Sequence, residues 1–354
     1  MRPKIALDYR PALLSRAGIG RVTRELARAL AARDDVEVHL FAHSLAPARV
    51  PCAVPAGARL HRLPIPGRTL PVLARLGLFA ERLAGGAALF HWTDYVHPPV
   101  GGAKVVLTVH DLAFVRDASW HGPAAATLGD RTRAAIARAD AVVVPSQATA
   151  ADVRAFAPDV RALQVIPFGA DHVPAGPRPP HPLGGRPYAL CLGTLEPRKN
   201  HAALLRAWRL LPADRPLLVV VGGIGWQCDD VVAALRAAVA DGVAVWHADC
   251  ADAAMWTWLR NAELLVYPSL WEGFGLPPLE ALAAGVRVVV NDTPVLRETL
   301  GDAAAFVDAT DPEALAAGVR TALAAPARAG ARPRLPTWRQ CAADHAALYR
   351  EMLA

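Results

Sequence analysis

Short aliphatic and β-branched runs alternate along the chain with stretches whose apolar positions fall three and four residues apart. The first run, KIALDY from Lys4, predicts a strand, and Arg21–Ala32 has the spacing of an amphipathic helix. VEVHLFA, ALFHWTD, KVVLTVHD and AVVVPS predict further strands, with a helix over Ala124–Arg138 between the last two. Ser146 stands where it can cap the helix that follows. Short buried strands separated by helices predict a parallel, doubly wound α/β sheet.

The pattern breaks at PFGADHVPAGPRPPHPLGGRP, where Pro and Gly exclude any regular element. It then restarts with YALCLG, PLLVVVGG, VAVWHA, ELLVYPS, VRVVVND and AAFVD, helices lying between them. The expected organisation is a Rossmann-like domain over residues 1–168, a linker over 169–187, a second Rossmann-like domain over 188–336, and a tail over 337–354. Trp338–Leu353 has a helical pattern of its own.

One segment departs from this alternation. RLHRLPIPGRTLPVLARLGLFAERL mixes Arg with Leu, Val and Phe, and Thr69–Leu83 is expected to form a helix. Such a helix either turns its apolar face to the core or offers a basic, apolar surface to a membrane, with Arg62, Arg68, Arg75 and Arg82 beside Leu73, Leu76 and Phe79.

Composition narrows the class. With 354 residues, 53% hydrophobic and 20% charged, the chain can bury two cores and is not disordered. A formal charge of +6 suits an anionic ligand or an anionic membrane surface, yet no nucleic-acid-binding pattern accompanies it. The five cysteines are odd in number and lack C-x-x-C spacing, which fits a reduced compartment. The start MRPKIALDYR has no apolar signal core and no uncharged run is long enough to span a bilayer, so a cytoplasmic protein, soluble or peripheral, is expected.

Two stretches concentrate the chemistry. CLGTLEPRKNH, residues 191–201, leaves a strand and at once places an acid, two cations and an amide ahead of a helix over Ala202–Leu211. Ligands bind at such carboxyl strand ends, and helix amino termini favour anions; in isolation the residues also describe a salt-bridged surface turn. YPSLWEGFGLPPLEALAAG, residues 267–285, repeats the placement. Pro277 and Pro278 fit a first helical turn and Gly285 its end, with Glu272 in the loop and Glu280 one turn inside. Gly273 and Gly275 leave the amides of Phe274, Gly275 and Leu276 open to a ligand such as a pyrophosphate.

In the first half, RAGIGRVTREL sets Gly18 and Gly20 between strand and helix, and TVHDLAF ends a strand on His110 and Asp111. His91, Asp94, His97 and Asp171 are further candidates. His247, Asp249 and Cys250 cluster, but no second ligand pair at metal spacing accompanies them and no D-x-D occurs, so no metal site is expected.

The combination of GTLEPRKN with Glu-x7-Glu around GFGLP resembles the retaining glycosyltransferases of family four. These have two facing Rossmann-like domains (the GT-B fold) with the donor site in the cleft, and the resemblance covers both halves. It implies that Arg198 and Lys199 neutralise the donor pyrophosphate, that Glu272 contacts the transferred sugar, and that Phe274, Gly275 and Leu276 bind sugar or phosphate through their amides. Glu280 would accept from the ribose hydroxyls, His110 would lie near the sugar, and the Gly18–Gly20 loop would face the donor phosphates and acceptor. It further implies a metal-independent hexosyltransferase without a cofactor, and a carboxy-terminal helix packed back on the first domain.

The sequence departs from the family in carrying Thr194 where many relatives have Arg, Arg287 where Pro is common, and a Trp-rich WHADCADAAMWTW. The run GIGR … GTLEPRKN … YPSLWEGFGLPPLEA resembles bacterial mannosyltransferases that use GDP-mannose to build polysaccharide on saccharide or lipid-linked acceptors. GDP-rhamnose, UDP-glucose and other donors stay open, as does a non-catalytic, membrane-associated partner subunit. A sugar-nucleotide epimerase shares the architecture but needs acid/base residues that have no evident place here.

Overall fold

The computed structural model describes residues 2–50, 54–122, 124–325 and 335–354. Cys52 lies outside them, and the other four cysteines are not in disulfides. The chain divides into two compact units. One comprises residues 1–116, 123–169 and 336–354, and the other 117–122 and 170–335.

The first unit is built on strands β1 (Lys4–Asp8), β2 (Glu37–His43), β3 (Ala58–Leu63), β4 (Leu89–Trp92), β5 (Lys104–Thr108), β6 (Ala141–Val144) and β7 (Leu163–Val165). They form a parallel sheet in the order β3-β2-β1-β4-β5-β6-β7. The central strands are buried on both faces, which is why they read as continuous apolar runs. Two strands lack that signature. Edge strand β3 alternates Leu with Arg and His, and β7 has three residues.

The helix expected from Arg21 begins at Gly18, and a further short helix, Arg10–Leu14, precedes it. Gly18 and Gly20 therefore lie in a first helical turn and not in a loop. A Cβ on Gly20 would fall 2.1 Å from the Ser15 carbonyl oxygen, so glycine there lets the two helices meet.

The single helix expected over Thr69–Leu83 is also corrected. Leu70–Arg75 and Ala80–Leu83 are separate helices. Gly77, at φ 78°, ends the first. The Gly77 N–H donates to the Ala74 carbonyl at 2.9 Å and the Leu78 N–H to the Leu73 carbonyl at 3.0 Å, the paired bonds of a Schellman stop.

Helix Trp338–Leu353 packs on helix Gly18–Ala31 within this unit. The Tyr349 hydroxyl is 2.7 Å from His91 Nδ1, and Arg350 pairs with Asp35.

The second unit has strands β8 (Tyr188–Leu192), β9 (Leu217–Val221), β10 (Ala244–His247), β11 (Leu264–Tyr267), β12 (Arg287–Asn291) and β13 (Ala305–Val307). They form a parallel sheet in the order β10-β9-β8-β11-β12-β13. Much of the Pro/Gly-rich segment groups with this unit. Arg260 donates to the Gly176 carbonyl at 2.6 Å and Asn261 to that of Pro179 at 3.2 Å, which fastens it to helix Asp252–Asn261. Arg287 donates to the carbonyls of Ala322 and Leu323 at 3.2 and 3.3 Å, so it caps the end of helix Pro312–Ala324.

Candidate functional site

The second sheet reverses its strand order between β8 and β11, and the two motif stretches leave those strands side by side. After β8, Pro197–Lys199 make one 3₁₀ turn, and Asn200 adopts the left-handed region at φ 55° before helix His201–Leu210. Asn200 Nδ2 donates to the Ala309 carbonyl at 2.8 Å, the Ala309 N–H to Asn291 Oδ1 at 3.0 Å, and Asn291 Nδ2 to the Ser269 carbonyl at 3.2 Å. This chain of bonds ties the loops after β8, β11, β12 and β13 together. Asn200 is the amide of the 191–201 stretch, whereas Asn291 and Ser269 went unrecognised in the sequence because no charge or motif marks them.

The sheet reversal brings Lys199 and Arg198 onto Glu272. Lys199 Nζ donates to Glu272 Oε1 at 2.5 Å and to the Tyr267 hydroxyl at 2.9 Å, while that hydroxyl donates to the same carboxylate oxygen at 2.7 Å. Arg198 Nη1 donates to the Trp271 carbonyl at 2.6 Å and lies 3.2 Å from Glu272 Oε2, and its Nη2 is 2.8 Å from Glu196 Oε1. Burial would raise the Glu272 carboxyl, but the two cations outweigh it and hold it down at about 2. Burial and the Glu272 charge push the Tyr267 hydroxyl well above its usual range, so it remains a donor. Tyr267 is a site residue that the sequence reading did not single out, and Glu196 is the acid of the 191–201 stretch, which carried no assigned role. An ammonium has three donors, and the two bonds of Lys199 to side chains leave one for a ligand.

Gly275, at φ 80°, starts helix Leu276–Ala283, with Pro277 and Pro278 in its first turn. A Cβ there would meet Leu296 Cδ2 at 2.5 Å, and the left-handed backbone independently favours glycine. Phe274 and Leu276 are buried beside it. One turn on, Glu280 is fully buried, and its Oε1 lies 2.9 Å from Nε2 of His172, which comes from the Pro/Gly-rich segment. The His172 ring meets the Trp256 ring edge-on, centroids 5.6 Å apart. His172 carried no sequence signal, since a histidine in a linker is ordinarily solvated.

The first-unit candidates separate. His110 Nε2 donates to the Thr93 carbonyl at 2.8 Å, and burial lowers its pKa, so the ring is neutral with Nδ1 as acceptor. His91 is a core residue instead of a site residue: Nδ1 meets Tyr349 and Nε2 is 2.7 Å from the Thr108 hydroxyl, with burial driving its pKa well down. Asp94 pairs with Arg10, His97 lies half-buried near it, and Asp171 is exposed. Among the described residues, no group of three His, Cys, Asp or Glu side chains could hold a metal, and His247 packs on Trp258.

Residues 16–173 match the model of Glycosyltransferase Family 4, and residues 178–334 that of Glycosyl transferases group 1. The chain is 28% identical to O-antigen chain mannosyltransferase B of Escherichia coli, over 96% of this chain and 97% of that protein. It is 34% identical to the GDP-mannose-dependent alpha-(1-6)-phosphatidylinositol monomannoside mannosyltransferase of Mycolicibacterium smegmatis, over 50% of this chain and 51% of that one. Among solved structures it resembles sucrose-phosphate synthase from Thermosynechococcus elongatus, with a TM-score of 0.82, 23% identity and 99% of each chain covered. The two family models together run through both Rossmann-like units, and the chain belongs to the family-four glycosyltransferases of the GT-B fold.

Proposed function

We propose that this glycosyltransferase moves mannose from GDP-mannose, with retention of anomeric configuration, onto a growing polysaccharide or lipid-linked saccharide. The observation that carries the proposal is the Lys199–Glu272–Arg198 cluster at the reversal of the second sheet, beside the start of helix Leu276–Ala283. Cations and first-turn amides in one place suit a diphosphate. In this reading Arg198, Lys199 and the amides of Gly275 and Leu276 hold the pyrophosphate, and Glu272 and Phe274 border the sugar. Glu280 takes the ribose hydroxyls, exchanging them for its bond to His172. The neutral His110 offers Nδ1 to a sugar hydroxyl, and the first-turn amides at Gly18 and Gly20 serve the phosphates or acceptor.

Mannose as the sugar is supported by the E. coli relative, which matches over nearly its whole length, and the GDP base by the half-length M. smegmatis match. Retention follows if the leaving phosphate itself helps deprotonate the incoming hydroxyl on the same face of the sugar, a route that needs no protein nucleophile. No cofactor or metal enters this route, since Arg198 and Lys199 take the leaving charge.

The acceptor side of the proposal includes a peripheral membrane contact at the cytoplasmic face. Among the described residues, no helix is long and apolar enough to cross a bilayer. Arg62, Arg68, Arg75 and Arg82 are exposed. Val72, Leu76 and Leu78 are 54%, 73% and 43% exposed beside them. Leu73 packs on the core and Phe79 against Gly101, so neither belongs to that surface as the sequence reading had it.

The test is incubation with a panel of GDP- and UDP-sugars, with and without excess chelator. Nucleotide release and the anomeric configuration of the product are followed by NMR. Chelator-resistant release from GDP-mannose with an α-linked product is expected. Release from a UDP-sugar alone, or an inverted product, overturns the donor or the stereochemistry, and no release from any donor favours the partner-subunit reading.

A further inference from the structure

Helix His201–Leu210 starts beside Lys199 at the carboxyl edge of the second sheet and runs back to the amino edge. There its last turns, the first residues of β9 and β10 and the end of helix Asp229–Ala240 enclose a cavity of about 100 Å³. Leu205, Leu218, Ala238 and Ala244 give it apolar walls, to which Trp208 and Arg215 add two polar groups.

Those two groups are unsatisfied. Trp208 is 3% exposed, and its indole N–H has no hydrogen-bond partner. Arg215 Nε is buried and equally without one. A buried tryptophan N–H ordinarily finds an acceptor, and leaving two donors unmet costs free energy. Nor is Arg215 a loose surface side chain. Its Nη1 donates to the carbonyls of Leu211 and Pro212 at 3.2 and 3.0 Å, which fixes the guanidinium at the end of the helix.

The chemistry of the pair selects what fits. Indole and guanidinium N–H groups donate and never accept, so the missing partner is an acceptor. Arg209 and Asp241 also border the cavity, but they are exposed and of opposite charge, which leaves Arg215 to set the sign. An oxyanion meets an arginine in a charge-assisted bond. The remaining wall is apolar and disfavours free phosphate or any other fully hydrated ion. The volume is below the ~150 Å³ of an apolar cavity that admits benzene, so the apolar part of the ligand is a short or branched chain and not a fused ring.

We propose that this cavity binds a small aliphatic carboxylate, its chain against Leu205, Leu218 and Ala244 and its carboxylate on Trp208 and Arg215. The site lies at the opposite edge of the second sheet from the Lys199–Glu272 cluster, and it rests on neither the donor nor the acceptor reading above.

The test follows the tryptophan indole N–H signals of the full chain by proton–nitrogen correlation NMR, the Trp208 signal being identified by its loss in Trp208→Phe. Isovalerate and hexanoate are titrated at pH 7 beside isovaleramide, a neutral isostere, and inorganic phosphate. Saturable movement of the Trp208 signal by the carboxylates is expected, with isovaleramide and phosphate at least about tenfold weaker, the scale of one charge-assisted hydrogen bond. Arg215→Ala should weaken carboxylate binding by about tenfold or more. Ala238→Leu, which fills the cavity and leaves every charge in place, should abolish it, and this variant decides the matter if Arg215→Ala fails to fold. A Trp208 signal that no carboxylate moves, or binding that survives Ala238→Leu, overturns the proposal. Equal binding of isovaleramide or phosphate overturns the ligand class. Excess GDP should leave the titration unchanged, and displacement of the carboxylates by GDP would put them at the donor cluster and overturn this site. A protein that binds no GDP yet keeps the Trp208 response would instead count against the donor reading and leave the cavity's ligand standing.

Discussion

Lys199 Nζ and Glu272 Oε1 are 2.5 Å apart although 73 residues separate them in the chain. They meet because β8 and β11 are neighbours at the reversal of the second sheet. Both side chains are nearly buried, at 13% and 10% exposure, so each is the other's principal compensation for leaving water.

Removing the cation should therefore do two things. Lys199→Ala is expected to weaken GDP binding by about ten- to a hundredfold, the scale of one charge-assisted hydrogen bond. It should also destabilise the fold by about 3–5 kcal/mol at pH 7, because Glu272 is left charged and buried. Urea titration checks the second effect, and Lys199→Ala combined with Glu272→Gln should recover part of the stability without recovering affinity. Equal loss of stability in single and double variants would show that the pair is not coupled.

The two glutamates should separate in kinetics. Glu272→Gln is expected to cut turnover by about a hundredfold or more, the scale of losing an electrostatic contact to a transition state, with GDP affinity within a few-fold. Glu280→Gln should weaken GDP-mannose and GDP alike, since both carry the ribose. His172→Ala should act on GDP affinity and not on turnover at saturating donor. Isothermal calorimetry beside initial rates makes the separation, and a Glu272→Gln variant that turns over normally sinks the sugar assignment.

Sequence legibility follows how local the determining physics is. Arg198, Lys199, Glu272 and Glu280 could be found because each lies between a strand pattern and a helix start within one short stretch. His172 could not, because its partner Glu280 is 108 residues away and a linker histidine has no periodicity to report it. The same holds for the Asn200–Ala309–Asn291 chain, which exists only once β12 and β13 are laid beside β11. Edge strand β3 was missed because its exposed positions carry Arg and His, which reads as surface and not as strand. The helix break at Gly77 was missed because apolar spacing continues across a stop that two backbone bonds enforce. His91 looked like a site residue because its burial against Tyr349 depends on the last helix folding back.

The exposed basic and apolar surface near Leu76 gives a prediction at vesicle scale. Each Arg close to an anionic leaflet contributes about 1 kcal/mol, and Val72, Leu76 and Leu78 add apolar contact. Co-sedimentation should rise with phosphatidylserine or phosphatidylglycerol content, fall with salt, and drop severalfold in Leu76→Glu. Sedimentation that ignores both lipid charge and Leu76→Glu would leave the segment as ordinary surface.

Asp8 should make stability depend on pH in a direction opposite to that of most acids. Its carboxyl is raised from 3.8 to about 7 in the native state, chiefly by burial, so the folded protein holds a proton that the unfolded chain has lost. Its contribution to stability is therefore complete below about pH 4 and is lost as pH rises through 7, on the order of 4 kcal/mol over the whole span. Asp8→Asn cannot lose that proton. His43 and His97, held down near 4, favour the fold increasingly as pH rises from 4 to 6.5. They do so in wild type and variant alike, so they cancel in the difference. Urea unfolding at pH 4, 6 and 8 should show the stability of Asp8→Asn gaining on wild type at each step, most between pH 4 and 7. Parallel curves across that range would mean that Asp8 is ionised in the native protein, with its buried charge compensated by Arg10.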